Sequence, residues 1–145
     1  MESQVLQLSQ IRIGGEATTK TEAMREAHSI LMEAGAVTSA YLPAMLEREE
    51  SVSTYMGNFL AIPHGTNESK ESILRSALSF VRYDQPIDWD GNPVRFVVGI
   101  AGIENQHLDI LSKIAIVFSD EDEVQALLDA ASPEEILDIL SEVNS

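Results

Sequence analysis

A single α/β domain over residues 1–145 is the fold class that the sequence predicts, and three observations carry it. Two helix-patterned segments come first, short apolar strand-like runs with turn chemistry follow, and helical patterning returns from about residue 105 onward. A chain of 145 residues with 44% hydrophobic content has the size of one domain. It is expected to bury roughly two thirds of its unfolded surface. No repeat, low-complexity segment or linker divides it.

The order of elements follows from the same signals. After a short extended start around Val5 to Ile13 and a turn at Gly14 and Gly15, Ala23, Ala27, Ile30 and Ala34 recur at helical spacing within Lys20 to Ala34. Thr18 or Thr19 can cap that helix, and Gly35 ends it. Thr38 is read as opening a second helix. Tyr41, Met45 and Leu46 mark its buried side, while Glu47, Glu49 and Glu50 are expected mostly outward.

Phe59 to Ile62 is a short apolar run cut off by Pro63, which cannot donate to a ladder, so a strand is expected to stop there with His64 just past its end. Ala77 to Tyr83 and Val94 to Ala101 read as an antiparallel pair joined through Pro86, Asp90, Gly91, Asn92 and Pro93. From Asn105 to Phe118 both faces are apolar, which predicts a buried helix. Asp122 to Ala130 is amphipathic. Ser132, Pro133 and Glu135 form the cap, first-turn proline and capping box of a last helix.

Composition narrows the function. The formal net charge of -15, from 24 acidic against nine basic residues, repels nucleic acid and anionic membrane surfaces and favours basic protein partners. Much of the acid falls at Asp120 to Glu123 and Glu134 to Asp138, read as a solvated helical face. With no cysteine there are no disulfides, thiolate nucleophiles or cysteine-bound zinc. No apolar stretch nears the ~20 residues that cross a bilayer. Met1 to Gln10 has no charged leader followed by an apolar block, so the cytoplasm is the expected compartment.

Few residues can carry chemistry. His64 stands between a proline that fixes the backbone and a glycine that leaves room for an N–H to approach phosphoryl oxygens. A neutral imidazole can attack phosphorus without a metal and can leave again; the alternative is a histidine satisfied within a turn. His107, near the start of the buried helix, is either a second donor to a phosphate or a solvent-facing first-turn residue. Arg48, at the edge of the second helix's buried side, could fork onto phosphoryl oxygens or pair with a neighbouring glutamate. His28 reads as structural or exposed. A metal-hydrolase set of His64, His107 and Asp109 lacks any HExxH-type spacing, and no Walker or GxGxxG motif supports a nucleotide.

Leu46 to Glu50, Tyr55 to Asn58, Ala61 to Thr66 and Glu104 to Ile110 together resemble the mannitol and fructose class of enzyme IIA of the bacterial sugar phosphotransferase system. The likeness runs from about Gln7 to Leu140 and is greatest to stand-alone mannitol-specific chains. It implies a mixed sheet flanked by helices, phosphorylation of His64 by phospho-HPr, and transfer to a cysteine of enzyme IIB. His107 and Arg48 would steady the phosphoryl group, and neither metal nor cofactor is required. The fructose branch and the nitrogen-related regulatory branch share the Pro63, His64, Gly65 block. A regulatory module read through its phosphorylation state therefore stands beside the sugar carrier.

Overall fold

The computed structural model describes residues 5–66, 71–103 and 106–141, apart from the side chain of His107. A 3-10 turn at Leu8–Gln10 leads into β1 (Ile11–Ile13). Then come α1 (Lys20–Glu33), α2 (Tyr41–Ser51), β2 (Tyr55–Gly57), β3 (Leu60–Ala61), β4 (Ala77–Trp89), β5 (Asn92–Ala101), α3 (Gln106–Phe118), α4 (Glu121–Asp129) and α5 (Pro133–Ile139).

The five strands form one sheet in the order β1-β4-β5-β3-β2. It is mixed: β1 runs parallel to β4 and β3 parallel to β5, while β4 with β5 and β2 with β3 are antiparallel. Because the central strands are apolar on both faces, helices must cover both sides. Leu78, Phe80, Phe96, Val98 and Ile100 pack against α3, α4 and α5. Ala77, Val81, Tyr83, Val97 and Ala101, which alternate with them, pack against α1 and α2. Phe96 lies between Phe80 and Phe118, with ring centroids 5.7 and 5.4 Å away. On the other face α1 comes close enough that a Cβ at Gly99 would lie 3.1 Å from Ala27 Cβ, and 2.5 Å from Ser79 Oγ of the neighbouring β4.

Local signals explain the helix ends. Thr19 caps α1 by accepting from the Glu22 N–H. Gly35, at φ 74°, closes it with the N–H of Gly35 on Met32 O and that of Ala36 on Leu31 O, a Schellman end. Ser132 Oγ accepts from the Glu135 N–H, and Glu135 returns a carboxylate to the Ala131 N–H.

Four expectations need correction. Thr38 does not cap α2. That helix starts at Tyr41 without a side-chain cap, and the Thr38 carbonyl accepts from the Tyr41 N–H and lies 3.1 Å from His28 Nε2. His28 is buried, so its structural reading holds. The β4–β5 connection is tighter than expected: Asp90 and Gly91, with φ of 55° and 94°, make a two-residue turn whose twist suits a hairpin. Pro86 falls inside β4, where the pairing register shifts between Arg82 and Ile87 and no ladder N–H is required. Finally, α3 is buried on one face only, since Leu108 is 56% and Ile116 70% exposed.

Arg82 ties the acidic end of the chain to the sheet. Its buried guanidinium donates through Nη1 to the carbonyls of Leu127 and Ala130, at 2.8 and 2.7 Å, where α4 ends. Replacing it strands two carbonyls under β4. Arg82→Met is expected to lower the unfolding free energy by about 2–4 kcal/mol in urea denaturation; a loss below about 1 kcal/mol would contradict this role.

Candidate functional site

The site begins where β3 ends. Leu60 and Ala61 pair with Phe96 and Val97 of β5, and the same register resumes beyond Pro63, where His64 bridges to Ile100. The Pro63 carbonyl accepts the Ile100 N–H at 3.0 Å. The strand stops ahead of the proline with His64 past its end, as expected, while the pairing with β5 resumes beyond it. On the opposite side, the Ile62 N–H donates to the Thr54 carbonyl at 3.1 Å.

The ring of His64 is oriented by its own strand. Nδ1 lies 2.8 Å from the Ile62 carbonyl oxygen. A carbonyl can only accept, so Nδ1 carries the proton and Nε2 carries the lone pair of the neutral imidazole. A half-buried histidine held in one tautomer at a strand end is suited to nucleophilic attack through Nε2.

Tyr41, whose ring belongs to the core, reaches the same point. Its hydroxyl donates to the Ile100 carbonyl at 2.7 Å and accepts the Gly65 N–H at 2.8 Å. Those two groups are the ones a parallel rung beside His64 would join directly. The N–H of Gly65 itself is therefore taken by Tyr41 in this structure. Burial pushes the Tyr41 hydroxyl up to about 12, against the opposing pull of the Gly65 bond.

His64 and Tyr41 line a cleft of about 650 Å³, with Arg48, Thr54, Leu108 and Leu111 also in its wall. Arg48 is half-buried and donates through Nη1 to the Val52 carbonyl at 3.0 Å; the ion pairs among the described residues do not include it. The expected surface pairing with a glutamate is thus not made, and a guanidinium stands beside the cleft. His107 is the second residue of α3; its side chain, like Glu104 and Asn105, lies outside the described residues. Asp109 pairs with Lys113 at 3.1 Å, and among the described residues no group of three His, Cys, Asp or Glu could hold a metal ion.

Glu49 overturns its expected exposure. It is buried, and its carboxylate accepts from the Thr54 N–H and hydroxyl and from Trp89 Nε1, with Lys20 Nζ 3.3 Å away. Together these partners offset the cost of burying a charge. Tyr41, Met45 and Glu49 follow one another at i, i+4, i+8, so periodicity alone would have turned Glu49 inward.

The sequence model of the family described as phosphoenolpyruvate-dependent sugar phosphotransferase system, EIIA 2, matches residues 4–143. The chain is 49% identical over 144 residues to a mannitol-specific phosphotransferase enzyme IIA component of Halalkalibacterium halodurans, covering 99% of both. It is similar in structure to a chain of the Escherichia coli complex of enzyme IIAMTL with phosphorylated enzyme IIBMTL. There the TM-score is 0.88 and the identity 32%, over 94% of this chain and 97% of that one. The nitrogen regulatory protein IIA-Ntr of Neisseria meningitidis is also similar, at TM-score 0.82 and 30% identity over 94% and 96%.

Tyr41→Phe keeps the ring and removes only the hydroxyl. It is expected to cost about 1–3 kcal/mol, and to speed amide exchange at Gly65. With a folded value of about 12 against an ordinary 10, the neutral hydroxyl is the form that the fold favours. Its contribution is complete below the lower value and is lost as pH rises through the higher one. The stability difference between the parent and Tyr41→Phe should therefore stay constant at neutral pH and shrink as pH rises through that alkaline window. A difference that grows there would contradict the assignment.

Proposed function

The chain belongs to the phosphoenolpyruvate-dependent sugar phosphotransferase system EIIA 2 family, and from that premise we propose that residues 1–145 act as one cytoplasmic enzyme IIA domain that carries a phosphoryl group on His64. It is a mannitol-specific phosphotransferase component, taking phosphoryl from phospho-HPr and passing it to enzyme IIB. The observation that carries the role of His64 is the bond from Nδ1 to the Ile62 carbonyl, which leaves the lone pair on Nε2. The mannitol reading rests on 49% and 44% identity over nearly the full chain to relatives named mannitol-specific; among solved structures the mannitol chain at 32% and the nitrogen regulatory one at 30% share the fold.

In the first step the Nε2 lone pair attacks phosphorus, forming the N–P bond as the bond to the donor's histidine breaks. The Ile62 carbonyl holds the Nδ1 proton throughout and stabilises the charge that the ring acquires. In the second step a cysteine thiolate of enzyme IIB attacks phosphorus, and the neutral His64 imidazole leaves. Both steps are in-line transfers, so catalysis is positioning plus neutralisation of charge on the equatorial oxygens. Arg48, in the cleft wall, is suited to that neutralisation once its guanidinium leaves the Val52 carbonyl. His107 takes the second such role by its place in the family pattern. Among the described residues no helix is long and apolar enough to cross a membrane, in keeping with a carrier that meets the membrane component through a protein.

Incubation with phospho-HPr should add one acid-labile, base-stable phosphoryl group to the protein and none to His64→Ala; equal labelling of that variant would sink the assignment. Arg48→Ala and His107→Ala should remain folded and lose on the order of a hundredfold in transfer rate. Rapid-quench rates equal to the parent for both variants would leave the two residues without a catalytic part.

A further inference from the structure

Two bonds hold the backbone of Ile62, and the second leads into a buried network that touches no reacting atom. The Ile62 carbonyl accepts Nδ1–H of His64 at 2.8 Å, and the Ile62 N–H donates to the Thr54 carbonyl at 3.1 Å. Thr54 is buried, and Glu49 grips it twice, taking its N–H at 3.1 Å and its hydroxyl at 2.5 Å. Glu49 is in turn fixed by Trp89 Nε1 at 3.0 Å and by Lys20 Nζ at 3.3 Å, so β4, α1 and the connection after α2 all locate its carboxylate. Arg48, the adjacent residue of α2, reaches over to Val52 in the connection between α2 and Thr54.

From this chain of contacts we infer that Glu49 is a positioning residue for phosphoryl transfer. Acting through Thr54 and the Ile62 peptide, it holds the carbonyl that keeps His64 in its Nδ1–H tautomer. The inference rests on the phosphoryl-carrier reading of His64. Glu49 touches no reacting atom. Its effect runs through geometry: a buried carboxylate gripping the N–H and the hydroxyl of Thr54 leaves that residue one position, and a threonine carbonyl so placed leaves Ile62 one as well. Loosening the grip lets the Ile62 carbonyl turn from His64, and a ring released from it divides its proton between the two nitrogens. Nucleophilic Nε2 is then available only part of the time and without a fixed line of approach.

The test compares the parent with Glu49→Gln, which keeps the shape but puts an amide N–H against a donor, and with Thr54→Val, which removes only the hydroxyl. Three quantities are read for each: folding by circular dichroism, the His64 tautomer from ring nitrogen-15 shifts, and kcat and KM for labelling by phospho-HPr. The expected result is folded protein, a shift of His64 away from pure Nδ1–H, and a fall in kcat of about tenfold with KM little changed. Parent-like tautomer and kcat in the folded variants overturn the inference, and so does a slow variant whose tautomer is unchanged. If Glu49→Gln fails to fold, Thr54→Val carries the comparison. The parent spectrum is an independent arm, because a resting Nε2–H tautomer overturns the inference without any substitution. A parent protein that takes no phosphoryl group would instead remove the functional reading, while the tautomer comparison would still decide the role of Glu49.

Discussion

The parallel pairing of β3 with β5 is short, and the position of His64 depends on it. Two strand residues, a proline that gives only its carbonyl, and a histidine in continued register bring the imidazole to the edge of a cleft. A side chain at the end of a longer, regular strand would be located by the ladder alone. Here the ladder is interrupted at Pro63 and opened at Gly65, where a phenolic hydroxyl stands in the rung. The missing constraint is restored from outside the sheet by Tyr41 of α2 and by Thr54 after it. The helix that flanks the sheet therefore fixes the site as much as the strand that bears it.

This division explains which features could be read from the chain. Helices with clean periodicity and end signals, such as the one between Thr19 and Gly35, were legible because capping and packing act over three or four residues. His64 was legible because Pro63 and Gly65 constrain the backbone on either side of it, and Arg48 because its place at the edge of a buried stripe is a local property. The Tyr41 hydroxyl was not, since its partners lie 24 and 59 residues away. Glu49 was misjudged because its charge outweighed its helical phase, and its main partners beyond Thr54, Lys20 and Trp89, are distant in sequence. α3 was overestimated for the opposite reason. Leu108 and Ile116 are apolar but exposed, and Leu108 lines the cleft together with Leu111, which is only partly buried against the core.

Charge is distributed along the fold in a way that separates two tasks. The acidic first turns of α4 and α5 belong to the helices that pack beside β1 and β4, across the sheet from β3 and β2. Arg82 holds α4 there through backbone carbonyls, leaving the carboxylates of Glu121, Asp122 and Glu134 exposed. The wall around His64 has a different character, with leucines, a guanidinium and hydroxyls. Most of the C-terminal acid thus lies apart from the cleft, whose lining mixes apolar and hydroxyl side chains with one residue of each charge, Glu47 and Arg48.

The indole that anchors Glu49 is the chain's single tryptophan. Trp89 is fully buried, donates its N–H to that carboxylate, and has the Lys20 ammonium 5.5 Å from its ring centroid. Indole emission responds to nearby charge and to the state of its N–H, and in this protein it arises from one ring in one environment. Ultraviolet fluorescence of the unmodified chain is therefore a native optical reporter of the contacts that lead from Lys20 through Glu49 and Thr54 toward His64, free of background from any second indole.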